Sequence, residues 1–172
     1  MIWSAQTHLV VRVAIPDDAP TIASMRVAVA DDLTERYGRG HWSLIGTERG
    51  VVRDIQTSCV LVGCDGATIV GTLRLAAKKP WAIDPNYFTN ASRPLYLLDM
   101  AVDPVRQRQG IGRHLVEQAK AVAAAWPSDA IRLDAYEAAA GAGGFYAKCG
   151  FREVGRVTYR GVPLIYFEHV LG

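Results

Sequence analysis

Arg106, Gln107, Arg108 and Gln109 run directly into Gly110-Ile111-Gly112-Arg113. This short run combines charge, side-chain amides and two positions without a Cβ. The first turn of a helix leaves backbone N–H groups unpaired and carries a partial positive charge. A glycine there lets an anion approach those N–H groups closely. Arginine supplies planar donors that suit phosphate oxygens. On Gly-x-Gly alone, a plain strand-to-helix turn explains the residues. With the basic and amide residues before it, an apolar strand leading in and an amphipathic helix leading out, anion binding is the better reading. Several donors in line suit a pyrophosphate better than one carboxylate. A dinucleotide fingerprint fits less well, because Leu115 occupies its third glycine position. No Gly-Lys-Ser/Thr follows, which excludes a P-loop.

The elements that would hold this turn alternate in period. Leu9, Val11, Val13 and Ile15 share one face of a strand. Pro16-Asp17-Asp18 offers a helix start, and Ile22, Met25, Val29 and Leu33 mark that helix's apolar face. The 35–50 stretch reads as loop plus a short helix. Apolar runs over 58–63 and 68–75 flank an Asp65-Gly66 hairpin signal. A long irregular segment, 80–94, follows; loops of that length in compact domains are often functional or mobile. The 95–102 run reads as a central strand. Next come a helix over 110–125 with Ile111, Leu115, Ala119, Val122 and Trp126 on one side, and a strand over 130–135. Those three make a right-handed crossover with two parallel strands. A short helix over 141–149 ends at Gly150, and runs over 152–159 and 164–170 form a terminal hairpin. The expectation is an α/β chain of the α+β type. It has a mixed, mainly antiparallel sheet of about six to seven strands, with one parallel central pair and flanking helices.

Bulk properties narrow the classes. A chain of 172 residues, half of them hydrophobic, is most simply one domain over 1–172 with a real core. A net charge of +2 argues against nucleic acid, so any electropositive function is local. No apolar run reaches the roughly 18 residues of a membrane span, and residues 1–12 show no secretory signal. Cys59, Cys64 and Cys149 have no metal-ligand spacing and read as inert thiols of a reducing cytoplasm. No metal site is expected.

Gln107-Arg108-Gln109-Gly110-Ile111-Gly112 resembles the Q/R-x-x-G-x-G/A pyrophosphate motif of GCN5-related N-acetyltransferases. Leu98-Asp99-Met100-Ala101-Val102-Asp103-Pro104 resembles the family's strand leading into it. Phe145-Tyr146-Ala147-Lys148-Cys149-Gly150-Phe151 resembles its Phe-Tyr-x-x-x-Gly-Phe segment, and Ile69-Val70-Gly71 its earlier strand. The order of elements matches over nearly the whole chain. One departure is Ala139, where family members often carry asparagine. The resemblance implies a GNAT fold and acetyl-CoA as co-substrate. Gln107, Arg108, Gln109, Gly110, Ile111, Gly112 and Arg113 would hold the pyrophosphate through backbone N–H groups. The backbone of Met100, Ala101 and Val102 would pair with the pantetheine arm like an added strand. Tyr146 would protonate the departing thiolate.

Such a transfer asks for little more. A thioester is already activated, and an amine needs a base or a water chain to take its proton. Asp99, Asp134 and Glu137, near the ends of the central strands, are the carboxylates available, and the sequence does not choose among them. Tyr37, Trp42, Trp81 and Asp134 would line an acceptor pocket suited to a small-molecule or peptide amine. His41, Asp84 and Tyr87 lie in the same segments. The acceptor's identity stays open. A homodimer through the terminal hairpin fits the pattern. A non-catalytic acyl-CoA-binding sensor and a nucleotide-binding module of different fold are the rival readings.

Overall fold

The computed structural model describes residues 8–172. The reading of residues 1–7 as free of a secretory signal lies outside them. Seven strands form one sheet: β1 (Leu9–Val13), β2 (Cys59–Asp65), β3 (Thr68–Ala76), β4 (Pro94–Val102), β5 (Ala130–Tyr136), β6 (Arg152–Tyr159) and β7 (Val162–Val170). Their spatial order is β1-β2-β3-β4-β5-β7-β6. Only β4 and β5 run parallel; every other neighbouring pair is antiparallel. Helices α1 (Ala19–Tyr37), α2 (Glu48–Thr57), α3 (Ile111–Ala125) and α4 (Gly143–Lys148) flank the sheet. This is the mixed sheet with a parallel pair that the sequence leads one to expect. No helix among the described residues is long and apolar enough to cross a membrane.

Two clusters fill the two sides of the sheet. Ile111, Leu115, Val116, Ala119 and Ala123 of α3 pack on Leu73, Leu75, Ile131 and Leu133, with Tyr146 and Phe151 closing one end. Ile22 of α1 and Val51 of α2 pack on Val60 and Val62 from the other side. Alternate residues of one strand point to opposite faces, so the continuous apolar run Val60-Leu61-Val62 serves both clusters.

Several boundaries differ from the sequence reading. α1 extends through Tyr37, so Glu35 and Tyr37 are helical and not loop. α2 is a full helix, capped by Thr47, whose hydroxyl accepts from Gly50 N–H at 3.0 Å. Val13 and Ile15 are exposed, because Leu9 and Val11 alone of that row reach the α3 cluster. Trp126 is the C-cap of α3 and stands 44% exposed, not on the buried face. β7 begins at Val162, since the turn is only Arg160-Gly161, with φ of 49° and 80°. A two-residue turn with positive φ at both positions matches strand twist, so Pro163 is drawn into the edge of the ladder.

Candidate active site

The parallel pairing of β4 with β5 is brief. Pro94 faces Ala130, Leu95 faces Ile131 and Tyr96 faces Arg132, and there it stops. From Leu97 to Val102 the β4 backbone has no β5 partner. A cleft of about 340 Å³ opens where the strands part. Opposite, the β3–β4 register slips between Thr72 and Arg74, and Asp99 takes a φ of 53°. Positive φ at a non-glycine residue is costly and persists only where surrounding contacts hold it. Here Arg74 Nε donates to Asp99 Oδ2 at 2.9 Å, and Arg26 Nη2 lies 3.9 Å from the same oxygen.

At the end of β4 the chain enters the glycine turn. Gln107 Nε2 donates to the Val102 carbonyl at 3.1 Å and ties the turn to the strand. Arg108 (φ 62°) and Gly110 (φ 82°) are both left-handed, which turns successive N–H groups toward a common hollow. The first bond of the α3 ladder runs from His114 N–H to the Gly110 carbonyl at 3.0 Å. The N–H groups of Ile111, Gly112 and Arg113 therefore precede the ladder. A Cβ built on Gly110 meets nothing within 4 Å, so the space above it is open. Arg108 and Arg113 are exposed beside it.

Two details of the turn depart from expectation. Gly112 is not a bare approach for an anion. Its Cβ would come within 3.0 Å of Met100 Cε and 3.2 Å of Phe145 Cζ, so glycine is needed for α3 to pack against the cleft wall. Arg106 is engaged elsewhere, 2.7 Å from Asp65 Oδ2 and donating to Gln109 Oε1 at 3.2 Å. Unladdered N–H groups, two exposed guanidinium groups and the open space at Gly110 still fit a pyrophosphate.

The ionisable groups around the cleft divide sharply. Tyr146 is 6% exposed, lines the cleft and donates toward Met100 Sδ at 3.6 Å. Burial above all, then Cys149 and Asp134 nearby, raise its pKa well above the ordinary phenol value. Asp134 lines the same cleft, and burial raises its carboxyl pKa as well. No ion pair reaches Asp134 among the described residues. Asp99 lines the cleft too, but its charge is matched by Arg74 and Arg26. Glu137 lies outside the lining and pairs with Arg156 at 2.8 Å.

The acceptor-side residues separate likewise. Trp42 lines the cleft, its indole N–H bonded to the Gly38 carbonyl at 2.9 Å and its ring edge-on to Tyr136 at 6.0 Å. Tyr37 and Trp81 do not line it. Tyr37 is 41% exposed beside Arg36, and Trp81 is 83% exposed. Pro80 and Ile83 face the cleft instead. Sequence reasoning passed over them and Tyr136. Tyr136 could have been found, because it follows Asp134 by one strand period. Ala140, Gly141 and Ala142 form part of the lining where the family's asparagine segment would lie. A Cβ on Gly141 would collide with the Tyr136 carbonyl at 1.9 Å, which explains the glycine.

Comparison with known proteins gives a consistent picture. A family model described as "Acetyltransferase (GNAT) family" matches residues 25–151. A GNAT family acetyltransferase from Listeria monocytogenes 4b F2365 superposes with a TM-score of 0.76 at 20% identity, covering 99% of each chain. A ribosomal-protein-alanine N-acetyltransferase from Brucella melitensis gives a TM-score of 0.70 at 17% identity, covering 94% of this chain and 99% of that one. An acetyltransferase from Salmonella typhimurium, solved with acetyl-CoA, gives 0.68 at 15% identity, covering 95% and 94%. At these identities the likeness is one of fold. No curated protein matches the chain.

Proposed function

Because the chain belongs to the GNAT acetyltransferase family and is thus an acetyl-CoA-dependent N-acetyltransferase, we propose that it acetylates a cationic primary amine, of a small molecule or a peptide, by direct attack in the β4–β5 cleft. The observation that carries this reading is the pairing of Tyr146 and Asp134 on one cleft wall, both with pKa raised by burial. The co-substrate supplies an activated acyl group, so the chain need only bind, orient and move protons. The N–H groups from Gln107 to Arg113, with Arg108 and Arg113, hold the pyrophosphate. On its β5 side, where strand pairing has stopped, the backbone of Met100, Ala101 and Val102 offers a strand edge to an extended arm. Its N–H groups also suit the charge that gathers on the acyl oxygen.

Asp134 takes the proton from the attacking ammonium. A carboxyl whose pKa burial raises above its ordinary range is a stronger base for that purpose. Tyr146 gives its proton to the departing sulfur; its raised pKa keeps the hydroxyl protonated. Asp99, tied to Arg74, stabilises the β4 bulge in preference to acting as a base. Trp42 and Tyr136 supply aromatic faces for a cation. The test is thiol release from acetyl-CoA across a panel of primary amines, with products identified by mass. Cationic amines should discharge acetyl-CoA and appear acetylated. Tight acetyl-CoA binding with no discharge by any amine would instead make the chain a sensor.

A further inference from the structure

Up to Pro94, where β4 begins, the 80–94 segment contains no strand and no α-helix, only a 3-10 turn at Pro85–Tyr87. A segment of that kind is ordinarily mobile, yet here its backbone is gripped by buried side chains. Tyr166 Oη donates to the Ala82 carbonyl and accepts from Asp84 N–H at 3.1 Å. Glu168 Oε1 accepts from Thr89 N–H at 3.1 Å, and Arg132 Nη2 donates to the Thr89 carbonyl at 2.6 Å. Arg132 and Glu168 also bond each other at 2.9 Å, with side chains 4% and 1% exposed. A buried ion pair contributes little stability by itself, because desolvation offsets attraction. Its spare donors and acceptors, directed at one segment, fix geometry.

The register explains why this bears on the site. Arg132 faces Glu168 and Asp134 faces Tyr166 across β5 and β7. Residues two apart on a strand share a face. The anchors and the cleft carboxylate therefore stand side by side, and Pro80 and Ile83 of the anchored segment line the cleft with Asp134. We propose that Tyr166 and the Arg132–Glu168 pair are positioning residues that hold the 80–94 segment as a fixed wall of the amine pocket. The inference rests on the acetyl-transfer reading for its amine, and on geometry alone for the anchoring.

Tyr166→Phe removes the hydroxyl and keeps the ring. Hydrogen exchange at the Asp84 amide should quicken, and KM for 1,4-diaminobutane as probe amine should rise roughly 3- to 10-fold for the lost bonds. The Kd for acetyl-CoA, measured by calorimetry, should not change. Arg132→Met/Glu168→Met removes both charges together, so no unpaired charge is left buried; it should free the Thr89 amide with the same split in constants. Unchanged exchange in both variants overturns the anchoring. Faster exchange with an unchanged amine KM, or an equal loss of acetyl-CoA affinity, overturns the wall. Wild-type protein inert toward every amine would defeat the transfer reading instead, and the exchange rates would still decide the anchoring.

Discussion

Asp134 and Asp99 both stand on the cleft wall, but only Asp99 has cations against it. That difference assigns them different work. The folded state raises the Asp134 pKa by burial, so it binds a proton that the unfolded chain has already lost. Stability on this account falls as pH rises through the window between the unfolded value and the higher folded one. Asp134→Asn should therefore raise Tm at neutral pH, and the gain should vanish in acid, where both forms are neutral. The same variant should abolish the acidic limb of the kcat/KM profile and lower kcat/KM by about 10²-fold or more. Thermal scans and pH–rate profiles of the two proteins check both effects. Tyr146→Phe should lower kcat roughly 10²–10⁴-fold, with acetyl-CoA affinity kept, since the ring remains packed against Phe145, Phe151 and Phe167. Wild-type kcat in that variant would take Tyr146 out of the reaction.

At the scale of elements, the turn into α3 and the acceptor walls make separable predictions. Gly110→Val places a β-branched residue at φ 82° and fills the open space above the N–H groups. The strain costs about 1–2 kcal/mol, and calorimetry should show acetyl-CoA binding largely lost in a protein that still folds. Trp42→Ala should raise the amine KM and leave acetyl-CoA affinity unchanged. Trp81→Ala should alter neither, because that ring points into solvent; steady-state kinetics with each substrate varied separates the cases. The glycine turn, the central strand and the crossover were legible in the sequence because local rules govern them: period, capping and missing Cβ atoms. The separation of Trp42 from Trp81 was not. Both sit in irregular segments, and only the long-range contact of Trp42 with Tyr136 brings one of them to the cleft. α2 was missed although Thr47 before Glu48 is a cap signal, because its apolar face is short. Asp99 could not be told from Asp134 either, since Arg74 lies on another strand and Arg26 on a helix.

For the molecule as a whole, the sheet is one continuous surface that parts once, and the groups assigned to the proposed reaction stand at or beside that parting. β4 runs into the glycine turn proposed for pyrophosphate, while Asp134 of β5, Tyr146 of α4, and Pro80 and Ile83 of the segment proposed as the amine-side wall line the cleft. None of Cys59, Cys64 and Cys149 lines the cleft, so no thiol stands ready to carry the acetyl group between substrates. On the proposed direct attack both substrates occupy the cleft together. The direct measurement is the initial rate with acetyl-CoA and an active amine varied against each other. Direct attack predicts double-reciprocal lines that intersect, the mark of a ternary complex. Parallel lines, the ping-pong pattern of a covalent acetyl-enzyme, would contradict it.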